Sequence, residues 1–231
     1  MSITGFLAKN ITNYDNRISI GSRFRAKRIA PLINMIEQVY KEHGCVKIID
    51  IGGTENYWNI ISGQVLDKYN VYITIVNLPE ISKPKDQGRY HFTTGDGCNL
   101  SDFNSSSFHI THSNSVIEHV GDWAHMISFA KEVKRVAPIY FVQTPNYWFP
   151  IEPHCMTPFF HWLPRPIRIW LVLNFQLGHW PKAENLDEAV RLVESARLLC
   201  KPMLEELFKE SEIVTEKVLG LSKSFVAIKN R

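Results

Sequence analysis

Apolar residues recur at three- and four-residue steps from position 21 to 43, through Phe24, Ile29, Leu32, Ile33, Ile36, Val39 and Tyr40, which predicts an amphipathic helix. Gly44 follows as its stop. The period then changes. VKIIDIGG (46–53) is rich in β-branched residues and ends in glycines, the pattern of a buried strand entering a tight turn. VYITIVNL (71–78), YHFTTG (90–95), FHITHS (108–113) and PIYFVQTP (138–145) repeat the strand signal. Between the last two, 123–136 predicts a helix with Met126, Ile127, Ala130 and Val133 on one face. Strands alternating with helical segments predict the α/β class, with a doubly wound, mostly parallel sheet covered on both faces.

The tail follows a different pattern. Positions 186–210 are helical with a break expected at Pro202, and then EIVTEKVLGL and KSFVAIK form two strand-like runs. The link between them, about Leu221 and Ser222, is so short that they must pair as an antiparallel hairpin. No internal repeat or low-complexity tract interrupts the chain.

Composition narrows the picture. At 231 residues the chain suits one full-sized domain, and 45% hydrophobic with 21% charged residues is enough apolar content for a core, which excludes general disorder. With 26 basic against 23 acidic residues, the charge is too balanced to argue for a nucleic-acid partner. Four cysteines (Cys45, Cys98, Cys155, Cys200) lie far apart, so neither a zinc motif nor a disulfide framework is expected. Reduced thiols in a cytoplasmic protein are the simplest reading. The N-terminal residues contain no apolar stretch of signal-peptide length. The most apolar stretch, 158–180, is interrupted by Arg165 and Arg168 beside Pro164 and Pro166, and its uncharged part falls short of the roughly 20 residues of a membrane-spanning helix.

Open α/β sheets bind ligands outside the carboxyl ends of their strands. Asp50, Gly52 and Gly53 stand at that end of the first strand. The sequence there, Asp-Ile-Gly-Gly-Thr-Glu, is not the dinucleotide fingerprint, and Glu55 would repel a pyrophosphate but not a cationic ligand. Asn77 ends the second strand, with an amide able to bond ribose hydroxyls. GDGCNL (95–100) follows the third, where Asp96 is able to accept from an exocyclic amine. SNSVIEHV (113–120) follows the fourth. Four polar motifs, each just past a strand, would line one crevice.

On IIDIGGT, TGDGCNL, SNSVIEHV, TPNYWFPIEPH (144–154) and the ending VLGLSKSFVAIK, the chain resembles the class I S-adenosylmethionine-dependent methyltransferases, over about 46–229. The resemblance implies a Rossmann-like methyltransferase fold of seven strands closed by an antiparallel hairpin, and S-adenosyl-L-methionine as cofactor, with S-adenosyl-L-homocysteine as product. It places Asp50, Gly52 and Gly53 at the methionine part, Asn77 at the ribose, Asp96 with the Gly97 and Cys98 backbone at the adenine, and Ser113 and Asn114 closing the pocket. The chain departs from the family at Asn77, where an acid is usual (Glu80 is near), and at Glu55, which stands for the third glycine.

Methyl transfer is an in-line displacement, so the protein mainly aligns the acceptor. A hydroxyl acceptor also needs a base, and histidine is the commonest near neutral pH. His119 and His154 are the candidates, with Glu118 either orienting His119 or capping a helix near Asp122. His109 and His112, on the fourth strand, are expected to pack. No ligand spacing points to a metal.

The acceptor implied by the family is a small molecule or a saccharide, including a lipid-linked one in saccharide biosynthesis. An aromatic segment at 145–185, on the acceptor side, reads as a lid, as an interfacial element giving peripheral membrane contact, or as core and homodimer contact. Arg165 and Arg168 are able to hold an anionic acceptor. The basic cluster Arg23, Arg25, Lys27 and Arg28 reads as a solvated face. Neither of the marks of base methylation, an acidic or amide residue before Pro-Pro-aromatic and a Pro-Cys pair, is present. The expected organisation is one domain over 1–231, with 1–44 as an N-terminal helical extension. Two rivals remain: a module that binds the cofactor without catalysis and serves as a scaffold, and a nicotinamide oxidoreductase whose glycine pattern is missing.

Overall fold

A computed structural model describes residues 20–81 and 83–230, with side chains from Ile29 onward. The basic cluster Arg23–Arg28, the side chain of Phe24 and the first nineteen residues of the expected extension lie outside the described residues. Seven strands form one sheet: β1 Val46–Ile51, β2 Val71–Asn77, β3 Tyr90–Thr94, β4 Ile110–Asn114, β5 Ile139–Pro145, β6 Glu212–Val218 and β7 Leu221–Lys229. Their spatial order is β3-β2-β1-β4-β5-β7-β6, and β1 to β5 are parallel while β7 runs antiparallel to both β5 and β6. This is the doubly wound, mostly parallel sheet with a C-terminal hairpin that the alternation predicts.

Among the described residues seven α-helices flank the sheet: α1 Ile20–His43, α2 Glu55–Trp58, α3 Gly63–Lys68, α4 Trp123–Val136, α5 Arg165–Asn174, α6 Leu186–Glu194 and α7 Lys201–Leu207. Strand β1 shows why both faces are covered. Ile48 joins Leu32, Ile36, Trp58 and Leu66 on one side, while Ile49 and Ile51 join Phe129, Val133 and Leu204 on the other. Each such side chain, fully buried, stabilises the fold by about 1.5–3 kcal/mol. Helix α1 is therefore one layer of the domain, through Ile29, Leu32, Met35, Ile36 and Val39, rather than an appendage to it.

Several expectations are corrected. Ile127 is exposed, because it lies about 100° around the helix from Met126, and the buried stripe runs through Met126, Phe129, Ala130, Val133 and Val136. Among the described residues no helix links β2 to β3 or β3 to β4. Those links carry Pro79, Pro84 and Gly88, then GDGCNLSDFNSSS, and neither has a helical period. Pro202 does not break a helix but sits in the first turn of α7, where its missing N–H leaves no bond unmade. The hairpin turns at Leu219 and Gly220, not at Leu221 and Ser222. Both turn residues have positive φ (51° and 81°), which matches the twist of the flanking strands.

The segment 145–199 builds a small core of its own. Cys155, Phe160, Val172, Ala183, Ala189 and Val193 are buried together as α5 packs on α6. Trp148, Phe159, Trp162, Trp170 and Phe175 stay exposed. Among the described residues no helix is long and apolar enough to cross a membrane.

Candidate functional site

Strands β1 and β4 lie side by side at the centre of the sheet, and the chain winds outward from them in both directions. Their carboxyl ends mark the switch point where such sheets bind ligands. Asp50 and His112 are register partners across this pair. The His112 Nδ1 lies 2.6 Å from one Asp50 oxygen, and the Trp58 indole N–H donates to the other at 2.8 Å. Asp50 is fully buried. Its carboxylate, held by His112 and Trp58, lies directly against Gly53 in the turn. A Cβ on Gly53 would fall 1.8 Å from an Asp50 oxygen. Gly52 has φ +72°, and a Cβ there would meet Val116 at 2.5 Å. Only glycine fits either position.

Other rim residues divide into those that face outward and those that brace. Asn77 donates its amide N–H to the Gly53 carbonyl at 3.0 Å, holding the turn against β2. The Ser113 hydroxyl is buried and donates to the Ile51 carbonyl at 3.1 Å, so it ties β4 to β1 rather than facing a ligand. Asp96 is exposed past β3, and one of its oxygens accepts from the Cys98 backbone N–H at 2.8 Å. That bond closes the turn on which the expected adenine contacts, Asp96 with the Gly97 and Cys98 backbone, lie. Gly97 packs so closely that a Cβ would lie 2.9 Å from Ile51 and Phe129. Burial, with the Asp96 charge beside it, pushes the Cys98 thiol up to about 11. Asn114 is half-buried at the tip of β4. His109, just before β4, accepts from the Lys47 backbone N–H and stacks on His43, so both histidines of this segment serve the fold as expected.

The rim suits a cationic ligand with hydroxyl and amine groups. Its glycine backbone is exposed at Gly52, the turn from Asp50 to Asn56 has no basic side chain, and Asp96 offers an acid.

Glu118, His119 and His154 do come together. Glu118 is fully buried just past β4 and accepts from the Thr144 hydroxyl of β5 at 3.0 Å, while its other oxygen has no partner. Burial pushes this carboxyl up to about 7, partly offset by its own backbone N–H, the Thr144 hydrogen bond and the charge of His154. The His119 Nδ1 lies 2.7 Å from the Ser195 carbonyl, and the His154 Nδ1 lies 2.7 Å from a Glu152 oxygen. Both partners are acceptors, so each Nδ1 carries hydrogen and each Nε2 is left to act. The two Nε2 atoms face one another at 3.1 Å. Burial lowers the His119 pKa. For His154 burial acts the same way, but the hydrogen bond and charge of Glu152, with the charge of Glu118, more than reverse it. Glu152 is itself buried and held by the backbone N–H groups of His154 and Cys155 at 2.8 and 2.7 Å.

His154 and Glu152 line a cavity of about 320 Å³ beneath the 145–199 segment, with Tyr147, His161, Arg168 and Trp180 among its walls. The two arginines part company here. Arg165 is exposed and pairs with Glu194 at 2.6 Å, whereas Arg168 lines the cavity with a buried Nε that has no partner. The His161 Nε2 lies 2.7 Å from the Tyr147 carbonyl, and its buried Nδ1 is likewise unpartnered.

Sequence reasoning missed Trp58, Thr144, Glu152 and Ser195. Glu152 left a signal, since Glu-Pro-His places a carboxylate two residues before a candidate histidine. Ser195 left none, because it contributes only a backbone carbonyl.

No protein-family model matches the chain, and no curated protein sequence matches it. Solved structures do. The CurJ carbon methyltransferase superposes with a TM-score of 0.53 at 14% identity, over 97% of this chain and 58% of that one. The present chain thus spans less than two thirds of that protein's length. A methyltransferase of Methanosarcina mazei, described as S-adenosylmethionine-dependent, gives a TM-score of 0.46 at 16% identity, over 80% of this chain and 91% of that one. Magnesium protoporphyrin IX methyltransferase of Synechocystis, solved with S-adenosylhomocysteine bound, gives 0.46 at 8% identity, over 98% and 95%. The CurJ superposition shows the fold of this chain to be that of the class I methyltransferases.

Proposed function

We propose that this chain, which carries the class I methyltransferase fold, transfers a methyl group from S-adenosyl-L-methionine to a hydroxyl of a small-molecule or saccharide acceptor. The observation that supports it best is the His119–His154 pair, two imidazoles 3.1 Å apart, one of them on the wall of a cavity. When bound, the cofactor supplies a methyl group already activated on a sulfonium, so the protein need not generate an electrophile. Gly52 and Gly53 present bare backbone at the switch point, Asn77 fixes that backbone, and Asp96 offers an acceptor for an amine. Asp50, held by Trp58 and His112, lies directly against that turn.

The acceptor belongs in the cavity of about 320 Å³, a volume at the small end of ligand pockets and suited to a single sugar or a comparable molecule. Arg168 is placed to receive an anionic group of that molecule. The Nε2 face of the histidine pair draws off the hydroxyl proton, a contribution typically worth about 10²–10⁴ in rate.

Calorimetry with S-adenosylmethionine and S-adenosylhomocysteine tests the first half, with binding expected in the wild type and weakened in Asp96→Ala. A radiolabelled methyl-transfer assay over hydroxylated small molecules and sugars tests the second. Absence of cofactor binding overturns the assignment. Binding without turnover on any acceptor favours a non-catalytic module.

A further inference from the structure

The hydrogen bonds around His119 and His154 pose an electrostatic problem. Each Nδ1 donates to a group that can only accept, the Ser195 carbonyl and the Glu152 carboxylate. With both Nδ1 atoms donating elsewhere, the two Nε2 atoms at 3.1 Å are compatible only if a proton or another cation lies between their lone pairs. A carboxylate oxygen of Glu118 is buried next to them with no partner, and the ligand atoms of all three side chains lie within 4.8 Å of one another. A cation placed among them would resolve both the lone-pair clash and the orphaned oxygen.

The geometry points to a binding site for one divalent transition-metal ion, of the zinc class, held by Glu118, His119 and His154. Two nitrogens each about 2.0–2.1 Å from such an ion and 3.1 Å apart subtend about 100° at it, an angle that tetrahedral coordination tolerates. Two imidazoles with one carboxylate suit zinc, cobalt or iron rather than magnesium or calcium, which prefer oxygen ligands. Glu152 on His154 and the Ser195 carbonyl on His119 match the outer partners that fix a ligating histidine's tautomer and ring orientation. Three protein ligands leave a position open, and His154 borders the cavity proposed for the acceptor. An acceptor hydroxyl oxygen fits that position. With the ion in place the two Nε2 atoms would be its ligands, so the ion's lowering of the hydroxyl's pKa would stand in for direct proton removal by the histidine pair. This catalytic use rests on the methyl-transfer reading, whereas metal binding does not. Linear spacing hides the site, because 35 residues separate the two histidines.

The test uses the full chain, stripped with a chelator that is then removed, and titrated with Zn²⁺ in the calorimeter and with Co²⁺ by visible absorption. One ion per chain is expected, with cobalt bands of a nitrogen- and oxygen-ligated site. His154→Ala and Glu118→Gln are each expected to lose at least about 100-fold in affinity, and Glu152→Gln about 10–100-fold. The exposed His91, paired with Asp86 on the outer strand, serves as control, and His91→Gln should bind as the wild type does. Should His154→Ala not fold, Glu152→Gln with an unchanged circular dichroism spectrum carries the test. Failure of the wild type to bind either ion below millimolar concentration overturns the site, as does full binding by His154→Ala. S-adenosylhomocysteine binding, measured separately, reports on the rim. Metal binding without it would sink the methyl-transfer reading and keep the site, and the reverse result would do the opposite.

Discussion

At the rim, every important residue lies within a few positions of a strand tip, and most of the work is done by backbone. Gly52 and Gly53 follow β1, Asn77 ends β2, Asp96 and Gly97 follow β3, and Asn114 ends β4. Across the sheet, the acceptor side is assembled from side chains far apart in sequence. His119 bonds to Ser195 from 76 residues away and meets His154 from 35. The rim follows from topology, since parallel strands must place their carboxyl ends together. The acceptor side depends on how the 145–199 segment packs on itself. The two halves should therefore fail separately, and each prediction below is a way to make them do so.

The largest effect is expected from the histidine pair. His119→Ala should lower methyl transfer by about 10²–10⁴-fold while S-adenosylhomocysteine affinity stays within about threefold, since the rim does not use this side chain. Rate and calorimetric affinity measured on one preparation check this. Loss of both together would show that the halves are coupled.

Gly53→Ala strikes the other half. Its Cβ would sit 1.8 Å from an oxygen of the Asp50 carboxylate, which buried hydrogen bonds to Trp58 and His112, one on each oxygen, hold in place, so the turn must move. Overpacking of this kind costs about 1–3 kcal/mol and occasionally more. The variant should melt earlier and lose cofactor affinity. Gly178→Ala is its counterpart in the 145–199 segment, with φ +54° and a Cβ 1.6 Å from the Cys155 carbonyl oxygen. It should disturb the acceptor cavity and leave cofactor affinity near that of the wild type. If either variant damages both functions equally, the division is wrong.

The same division explains what could be read from sequence. Strand tips announce themselves, since a β-branched run that ends in Gly-Gly or runs into Gly-Asp-Gly is both a fold signal and a site signal. The five strand segments β1 to β5 followed from period, and the closing hairpin from link length, while their order across the sheet is a finding of the structure. Roles within the rim were less legible. Asp50 and Ser113 sit near strand ends like their neighbours, yet both are buried and spent on links between β1 and β4, Asp50 with His112 and Ser113 with the Ile51 carbonyl. The donor set of Glu118, His119 and His154 has no linear signature, and neither does the parting of Arg165 from Arg168. The first depends on loops far apart in sequence meeting past β4, and the second on which side of α5 faces the cavity, and composition specifies neither.

Arg168 offers a smaller and sharper test of the acceptor half. Its Nε is buried in the cavity wall without a partner, which is costly unless an acceptor supplies one. With an anionic acceptor, Arg168→Gln should raise KM for that acceptor about tenfold or more and change KM for the cofactor little. A charge-assisted hydrogen bond is worth about 1.5–3 kcal/mol, which sets that scale. Arg165→Gln, whose guanidinium is exposed and paired with Glu194, should do almost nothing. An equal effect from the two arginines would mean that the surface, not the cavity, receives the substrate.

The smallest expected effect concerns a single thiol at the rim. Cys98 lies half-buried beside Asp96, with its S–H directed at the His125 carbonyl at 3.4 Å. Burial and the neighbouring carboxylate both favour the neutral thiol and push its pKa up to about 11. The sign is fixed by that direction. The reactive thiolate is scarce at pH 8 and grows tenfold with each pH unit until about 11. Iodoacetamide at pH 8 should therefore label Cys98 far more slowly than a free thiol of ordinary pKa, and peptide mass spectrometry over a pH series reads the rate at this residue alone. Adding S-adenosylhomocysteine should slow it further if the adenine end settles against Asp96 and Gly97. Rapid labelling at pH 8, indifferent to the ligand, would mean that this turn is open and that the rim is less fully formed than its packed glycines indicate.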